Sequence, residues 1–175
     1  MTIRTHLRRT GATLAVATMA AGVATLASGA AQAESTDLGC TAQQVDTTLV
    51  PGEPGAGSRY GYLEFTAKPG EACYLSGSVP VNLVGAHDVL LSNEAPSDAP
   101  HVYLRDGSSA HVNLRWTAIA ANDQQQKPLA ITVDTPGNPE APAISVPWTL
   151  DSVDATPDSH TVHVGAATGG PAPTT

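Results

Sequence analysis

Val102-Tyr103-Leu104-Arg105-Asp106-Gly107-Ser108-Ser109-Ala110-His111-Val112-Asn113-Leu114-Arg115-Trp116-Thr117-Ala118-Ile119 is the stretch that decides the fold. Val112, Leu114, Trp116 and Ala118 share one parity, and His111, Asn113, Arg115 and Thr117 share the other. Successive side chains of a strand point to opposite faces, so this pattern describes a strand with one face buried and one in water. Asp106-Gly107 supplies two residues that tolerate positive φ, as a tight hairpin turn requires. The stretch therefore predicts a β-hairpin, with Val102–Leu104 entering, Arg105–Ser108 turning and the residues from Ala110 leaving.

The same alternation recurs on both sides. Upstream, Gly61, Leu63 and Phe65 oppose Tyr60, Tyr62 and Glu64, and Val79, Val81 and Leu83 alternate within a strand read from Cys73 to Val84. Val45–Val50 and Val89–Leu91 are shorter apolar pieces. Downstream come Leu129–Val133, then Ile144, Val146, Trp148 and Leu150 in alternation, then His160–Val164. Pro147 has no N–H for a ladder, which places its strand at a sheet edge or at a bulge. Gly, Pro, Asp and Asn punctuate the chain at short intervals, and no long helical period appears. The expected fold is all-β, an antiparallel sandwich of about seven or eight short strands. Its core is expected on Leu63, Phe65, Val81, Leu83, Val112, Leu114, Trp116, Ile131, Val133, Val146 and Trp148. The parity of Trp116 and Trp148 makes them core anchors rather than sugar-stacking platforms.

Residues 1–33 read as a secretory signal: Arg4, Arg8 and Arg9, an uncharged Ala-rich stretch from Gly11 to Gly29, then Ala31-Gln32-Ala33 before a cut at Glu34. A twin-arginine signal would carry bulky apolar residues where Thr10-Gly11-Ala12 stand. Leu38-Gly39-Cys40 resembles a lipoprotein site, but Glu34, Ser35, Thr36 and Asp37 separate it from the apolar stretch. The expectation is a secreted, unlipidated protein: signal 1–33, sandwich domain 34–165, and a flexible Gly/Pro/Thr tail at 166–175. The mature part holds five basic and sixteen acidic residues, a net charge of −11 with histidine neutral. Nucleic acid and anionic membrane need clustered Lys and Arg, so neither is an expected partner. Acidic side chains keep a secreted protein dispersed.

Two cysteines, Cys40 and Cys73, in an exported chain predict one disulfide. Two buried thiols are the alternative, and a redox pair would call for Cys-x-x-Cys, which is missing.

Gly39-Cys40-Thr41-Ala42, Tyr62-Leu63-Glu64-Phe65, Cys73-Tyr74-Leu75-Ser76-Gly77 and Leu104-Arg105-Asp106-Gly107-Ser108-Ser109-Ala110 occur in that order. Together with Leu114-Arg115-Trp116 they resemble an actinobacterial secreted and lipoprotein domain of unknown function. That family is marked by Cys-x-Leu-x-Gly and a later Leu-x-x-Gly-x-x-Ala hairpin. The resemblance spans roughly Cys40 to Val133, and departs where Ala67 replaces a frequent Asn and Gly77-Ser78-Val79-Pro80 runs one residue long. It implies an immunoglobulin-like sandwich outside the cell and no established activity.

Sharper chemistry finds little anchorage. His160 and His163 are three apart on a predicted strand and should face opposite ways; His101 and His111 flank the hairpin turn and could approach across it. His87 is the remaining mature histidine. Asp151, Asp154 and Asp158 lack the spacing of a calcium loop and read as a solvated acidic segment. There is no Gly-x-Ser-x-Gly, and Ser108 and Ser109 are ordinary turn residues. No catalytic, cofactor or metal residue is assigned. The expected function is a non-catalytic extracellular module that binds a protein or cell-wall component through its loops and outer sheet face. The contact loops would be Pro51–Gly57, Ala95–Pro100 and Asn122–Lys127. A protease inhibitor with an exposed loop beside Cys73 is the alternative, and an extracellular hydrolase ranks below it.

Overall fold

A computed structural model describes residues 39–135 and 140–173. The signal read at 1–33 lies outside the described residues. The chain is all-β: β1 Val45–Pro51, β2 Ser58–Ala67, β3 Ala72–Leu75, β4 Val81–Val84, β5 Leu90–Asn93, β6 Val102–Arg105, β7 Ser109–Thr117, β8 Gln125–Gln126, β9 Ala130–Val133, β10 Ile144–Pro147, β11 Val153–Asp154 and β12 Thr161–Gly169. Among the described residues a single 3-10 turn, Asn122–Gln124, interrupts them. Ten strands have four residues or more, against the seven or eight expected.

One layer is a five-stranded sheet in the order β1-β2-β7-β12-β5. Facing it are a three-stranded sheet, β10-β9-β4, and the pair β3-β6. Inward residues from all of these meet in one core: Leu63 and Phe65 of β2, Val112, Leu114 and Trp116 of β7, Ile131 and Val133 of β9, Val146 of β10 and Leu104 of β6. The expected core parity is the observed one, except that Val81 and Leu83 are half-buried on the edge strand β4. Pro147 lies at the end of β10, an edge strand, where no ladder asks for its missing N–H. Trp116 and Trp148 meet edge to face with ring centroids 5.5 Å apart. Each also ties down the following loop, its Nε1 donating to the carbonyl of Ser152 (3.0 Å) or Asp151 (2.9 Å).

The hairpin at 102–119 is half right. Asp106 and Gly107 take φ of 51° and 80°, and Ser108 N donates to Arg105 O at 2.9 Å, a tight turn as read. The arms, however, do not pair with each other. β6 pairs with β3, setting Leu104 opposite Cys73, while β7 pairs with β2 and β12. The turn therefore carries the chain from one layer to the other. A turn motif specifies the φ values of two residues and leaves the choice of strand partner to the core.

Cys73–Val84, read as one strand, divides into β3 and β4 in different sheets. Gly77 marks the break. A β-carbon there would stand 2.3 Å from the carbonyl oxygen and 2.5 Å from the carbonyl carbon of Ala99, while Gly77 O accepts from Ala167 N at 2.9 Å. The obstacle is backbone, which cannot swing aside. Gly77→Ala should lower stability by about 2–3 kcal/mol, read as the urea midpoint; a variant within experimental error of wild type would show that the 77–99 contact yields freely.

Two further expectations are corrected. The sheets are not wholly antiparallel, because β12 runs parallel to β5. The tail is not loose from 166: β12 continues to Gly169 through a register shift between Val164 and Ala167, and Ala172 is buried. Its anchors are polar. Gly170 N donates to Ser109 O, Gly170 O accepts from His111 Nδ1 (3.0 Å), and Ala172 N donates to Glu64.

Candidate functional site

The outward face of the five-stranded sheet is assembled row by row from the ladder register. Tyr60, Arg115 and His163 lie in one row across β2, β7 and β12; Tyr62 faces Asn113 in the next; Glu64 faces His111 beyond it. All are half-buried, so each offers part of its surface to solvent. The Tyr62 ring meets His111 edge-on at 5.5 Å. Glu94, just past β5, lies 3.4 Å from the Arg115 guanidinium and 2.7 Å from His163 Nδ1, so one carboxylate bridges two strands.

This face runs into a cavity of about 220 Å³ lined by Arg115, Thr117, Asp158, Ser159, His160 and His163. A second hollow of about 350 Å³ lies on the far side of His160, against His87, Asp88, Leu90 and Pro157. His160 and His163 were expected on opposite faces, yet both line the first cavity. β12 begins only at Thr161, so strand alternation does not govern residue 160, whose Nδ1 donates to Thr156 O at 2.8 Å. His101 and His111 do not join across the turn: His101 stacks on Tyr74, and His111 sits against Tyr62. No group of three His, Cys, Asp or Glu side chains converges as a metal site would demand among the described residues.

Beneath the cavity lies a residue that sequence reasoning missed. Asp151 and Asp158 are exposed as expected of a solvated acidic loop, but Asp154 is 1% exposed. Its carboxylate accepts from Ile119 N (3.0 Å), Ala120 N (3.0 Å), Gln125 Nε2 (3.1 Å) and Ser159 Oγ (3.3 Å). Burial pushes the Asp154 pKa up, but the Ala120 and Ile119 amides and the Gln125 amide outweigh it, and the group stays ionised below the usual carboxylate range. Asp154 therefore fastens β11 to the segment just after β7, to β8 and to the segment just before β12. No periodicity announces such a residue. A loop aspartate looks the same in sequence whether it meets water or four donors.

The hydroxyls here are spoken for. Ser159 Oγ meets Thr117 Oγ1 as well as Asp154, and no hydrogen bond joins it to a histidine among the described residues. Ser108 and Ser109 serve the turn and the ladder, Ser108 Oγ accepting from Arg105 N at 2.9 Å and Ser109 Oγ meeting Thr66 Oγ1 at 2.8 Å.

The predicted contact loops are themselves folded. In 51–57, Gly55 and Ser58 exchange backbone bonds, and Ile119 lies over Gly57. In 95–100, Ala99 N donates to Pro96 O. Within 122–127, residues 122–126 form the 3-10 turn and β8. Beside the disulfide, Cys73 lies within β3 and Cys40 N donates to Tyr74 O at 3.0 Å, while the exposed turn at Pro69-Gly70 precedes β3.

Cys40 and Cys73 are bonded, with Cα atoms 4.9 Å apart. No helix among the described residues is long and apolar enough to cross a membrane. These features define a disulfide-stapled β-sandwich domain whose outer sheet face leads into a shallow polar cavity. The chain belongs to the family described as a domain of unknown function (DUF4232), whose model matches residues 40–168. No curated protein and no solved structure matches it. The residues that carried the resemblance hold the framework: Cys73 is bonded, Leu75, Leu104 and Ala110 are buried, Gly77 admits a backbone and Gly107 turns one.

Proposed function

We propose that the chain is exported, cut before Glu34, and acts as a non-catalytic binding module outside the cell. Its partner is an extracellular protein or a cell-wall component, engaged through the outer face of the five-stranded sheet and the cavity that continues it. The observation that carries this reading is the row Tyr60, Arg115 and His163, in register across three strands and opening at His163 into the cavity. An aromatic ring, a guanidinium and an imidazole on a rigid sheet are recognition chemistry, and Tyr and Arg are the side chains that dominate binding surfaces. The disulfide favours an oxidising compartment.

The test compares the 34–175 protein with its Arg115→Ala/His163→Ala variant as baits in native culture supernatant, identifying bound proteins and glycans together. A partner held by wild type and weakened about tenfold or more by the variant supports the reading. The intact mass of the native protein should start at Glu34 without lipid. Turnover of a general esterase or glycosidase substrate, abolished by Ser159→Ala, would defeat the non-catalytic assignment.

A further inference from the structure

The opposite layer carries a second surface that the sheet face does not reach. β3 and β6 pair Tyr74 directly with Tyr103, their ring centroids 6.3 Å apart and tilted by 53°. His101, one residue before β6, lies flat on Tyr74 at 4.6 Å with an interplanar angle of 4°. Tyr103 is 63% exposed, and it alone among the described Phe, Tyr and Trp side chains is mainly in water. His101 is exposed as well. Arg105 shares the outward parity of Tyr103, is exposed, and makes no ion pair among the described residues. Three rings and a cation thus stand on one small face.

We infer that this face is a carbohydrate site, taking the flat C–H face of a β-linked hexopyranose against Tyr103 and the His101–Tyr74 stack. Packing does not account for the rings, since the Tyr74–Tyr103 contact leaves most of Tyr103 wet. The size argues for a sugar rather than a protein. The other exposed large apolar side chains among the described residues, Val84, Leu90, Ile119 and Leu129, lie outside β3 and β6, so these two strands expose no large aliphatic side chain. A stable protein interface needs about 800 Å² from each partner, whereas the Tyr103 ring and the outer face of His101 on its Tyr74 stack cover one or two sugar units. Exposed aromatics also stack nucleic-acid bases, but that binding depends on a basic groove. The mature chain carries only five Lys and Arg against sixteen Asp and Glu. Tyrosine hydroxyls, an imidazole edge and the Arg105 guanidinium supply hydrogen bonds to sugar hydroxyls around the stacked face. The platform is preformed, because Cys73 beside Tyr74 is bonded to Cys40, and Leu104 between Tyr103 and Arg105 is buried.

The experiment uses the full mature protein and three insoluble carbohydrates: chitin, cellulose and peptidoglycan sacculi. Bound and free fractions are measured for wild type, Tyr103→Ala and Tyr103→Phe, with thermal midpoints recorded alongside. The expected result is retention on at least one of them, weakened about tenfold by Tyr103→Ala and within about threefold of wild type in Tyr103→Phe, because stacking survives loss of the hydroxyl. Tyr103 is exposed, so all three proteins should melt together. No retention on any of the three, or equal retention by Tyr103→Ala, overturns the site. Retention lost in Arg115→Ala and kept in Tyr103→Ala overturns it too, and moves carbohydrate binding to the sheet face.

Discussion

Asp154→Ala should destabilise the domain by about 4 kcal/mol at neutral pH, a large share of the 5–15 kcal/mol that holds a domain folded. The carboxylate is 1% exposed and no basic side chain pairs with it among the described residues; its charge is held by four hydrogen bonds. Removing it strands the Ile119 and Ala120 N–H groups, and an unmet buried donor costs about 1–3 kcal/mol. The same residue adds a pH dependence of known sign. Its folded-state pKa is lowered, so its contribution is complete above the unfolded carboxylate value of about 3.9 and is lost as pH falls through the folded value. Urea titrations at pH 7 and pH 3 should therefore show the gap between wild type and Asp154→Ala narrowing in acid. Asp154→Asn should fall between the two at pH 7, since it keeps an accepting oxygen but turns an NH₂ towards donors. A variant within about 0.5 kcal/mol of wild type at pH 7, the size of an ordinary surface substitution, would mean the amides find water instead.

Loss of the disulfide is the other large effect. Cys40 and Cys73 are 33 residues apart, and the loop they close should stabilise the fold by about 3–4 kcal/mol in the chain-entropy model. Here the bond also holds Gly39–Cys40 against β3, since the Gly39 bridge to Tyr74 and the Cys40 N–H to Tyr74 O form at the same place. Cys40→Ser/Cys73→Ser should lower the urea midpoint accordingly and leave the far-UV spectrum of the folded state unchanged. Free thiols detected in the unreduced native protein would remove the basis of the prediction.

Much of this fold was legible from local pattern. In β7, five polar and four buried side chains alternate without a break, and the sheet places them as their parity says. The two cysteines likewise left a single pairing within the chain. What escaped was non-local. Asp106-Gly107 announced a turn, but β6 turned to β3 because Leu104 belongs opposite Cys73 in the other layer. The C-terminal Gly/Pro/Thr composition suggested looseness, yet Ala172 is fastened to Glu64, 108 residues away. Asp154 reaches Ile119 across 35 positions. The candidate surfaces divide the same way. Tyr60 and Arg115 belong to strands whose outward parity could be read, whereas the cavity beside them depends on where the chain starts its last strand.

That last strand has a consequence for how the molecule is made. β12 is the last strand in chain order among the described residues, yet it occupies the interior of its sheet, between β7 and β5. Leu90 must wait for Thr161, 71 residues later, before β5 gains its neighbour. A ladder closed over so long a span contributes nothing until the loop entropy has been overcome, which makes folding slow and late. The growing chain therefore cannot complete its main sheet until Thr161–Gly169 has emerged. A polypeptide shortened before Thr161 would lack an interior strand of its sheet, and β5 would lose its only ladder among the described residues.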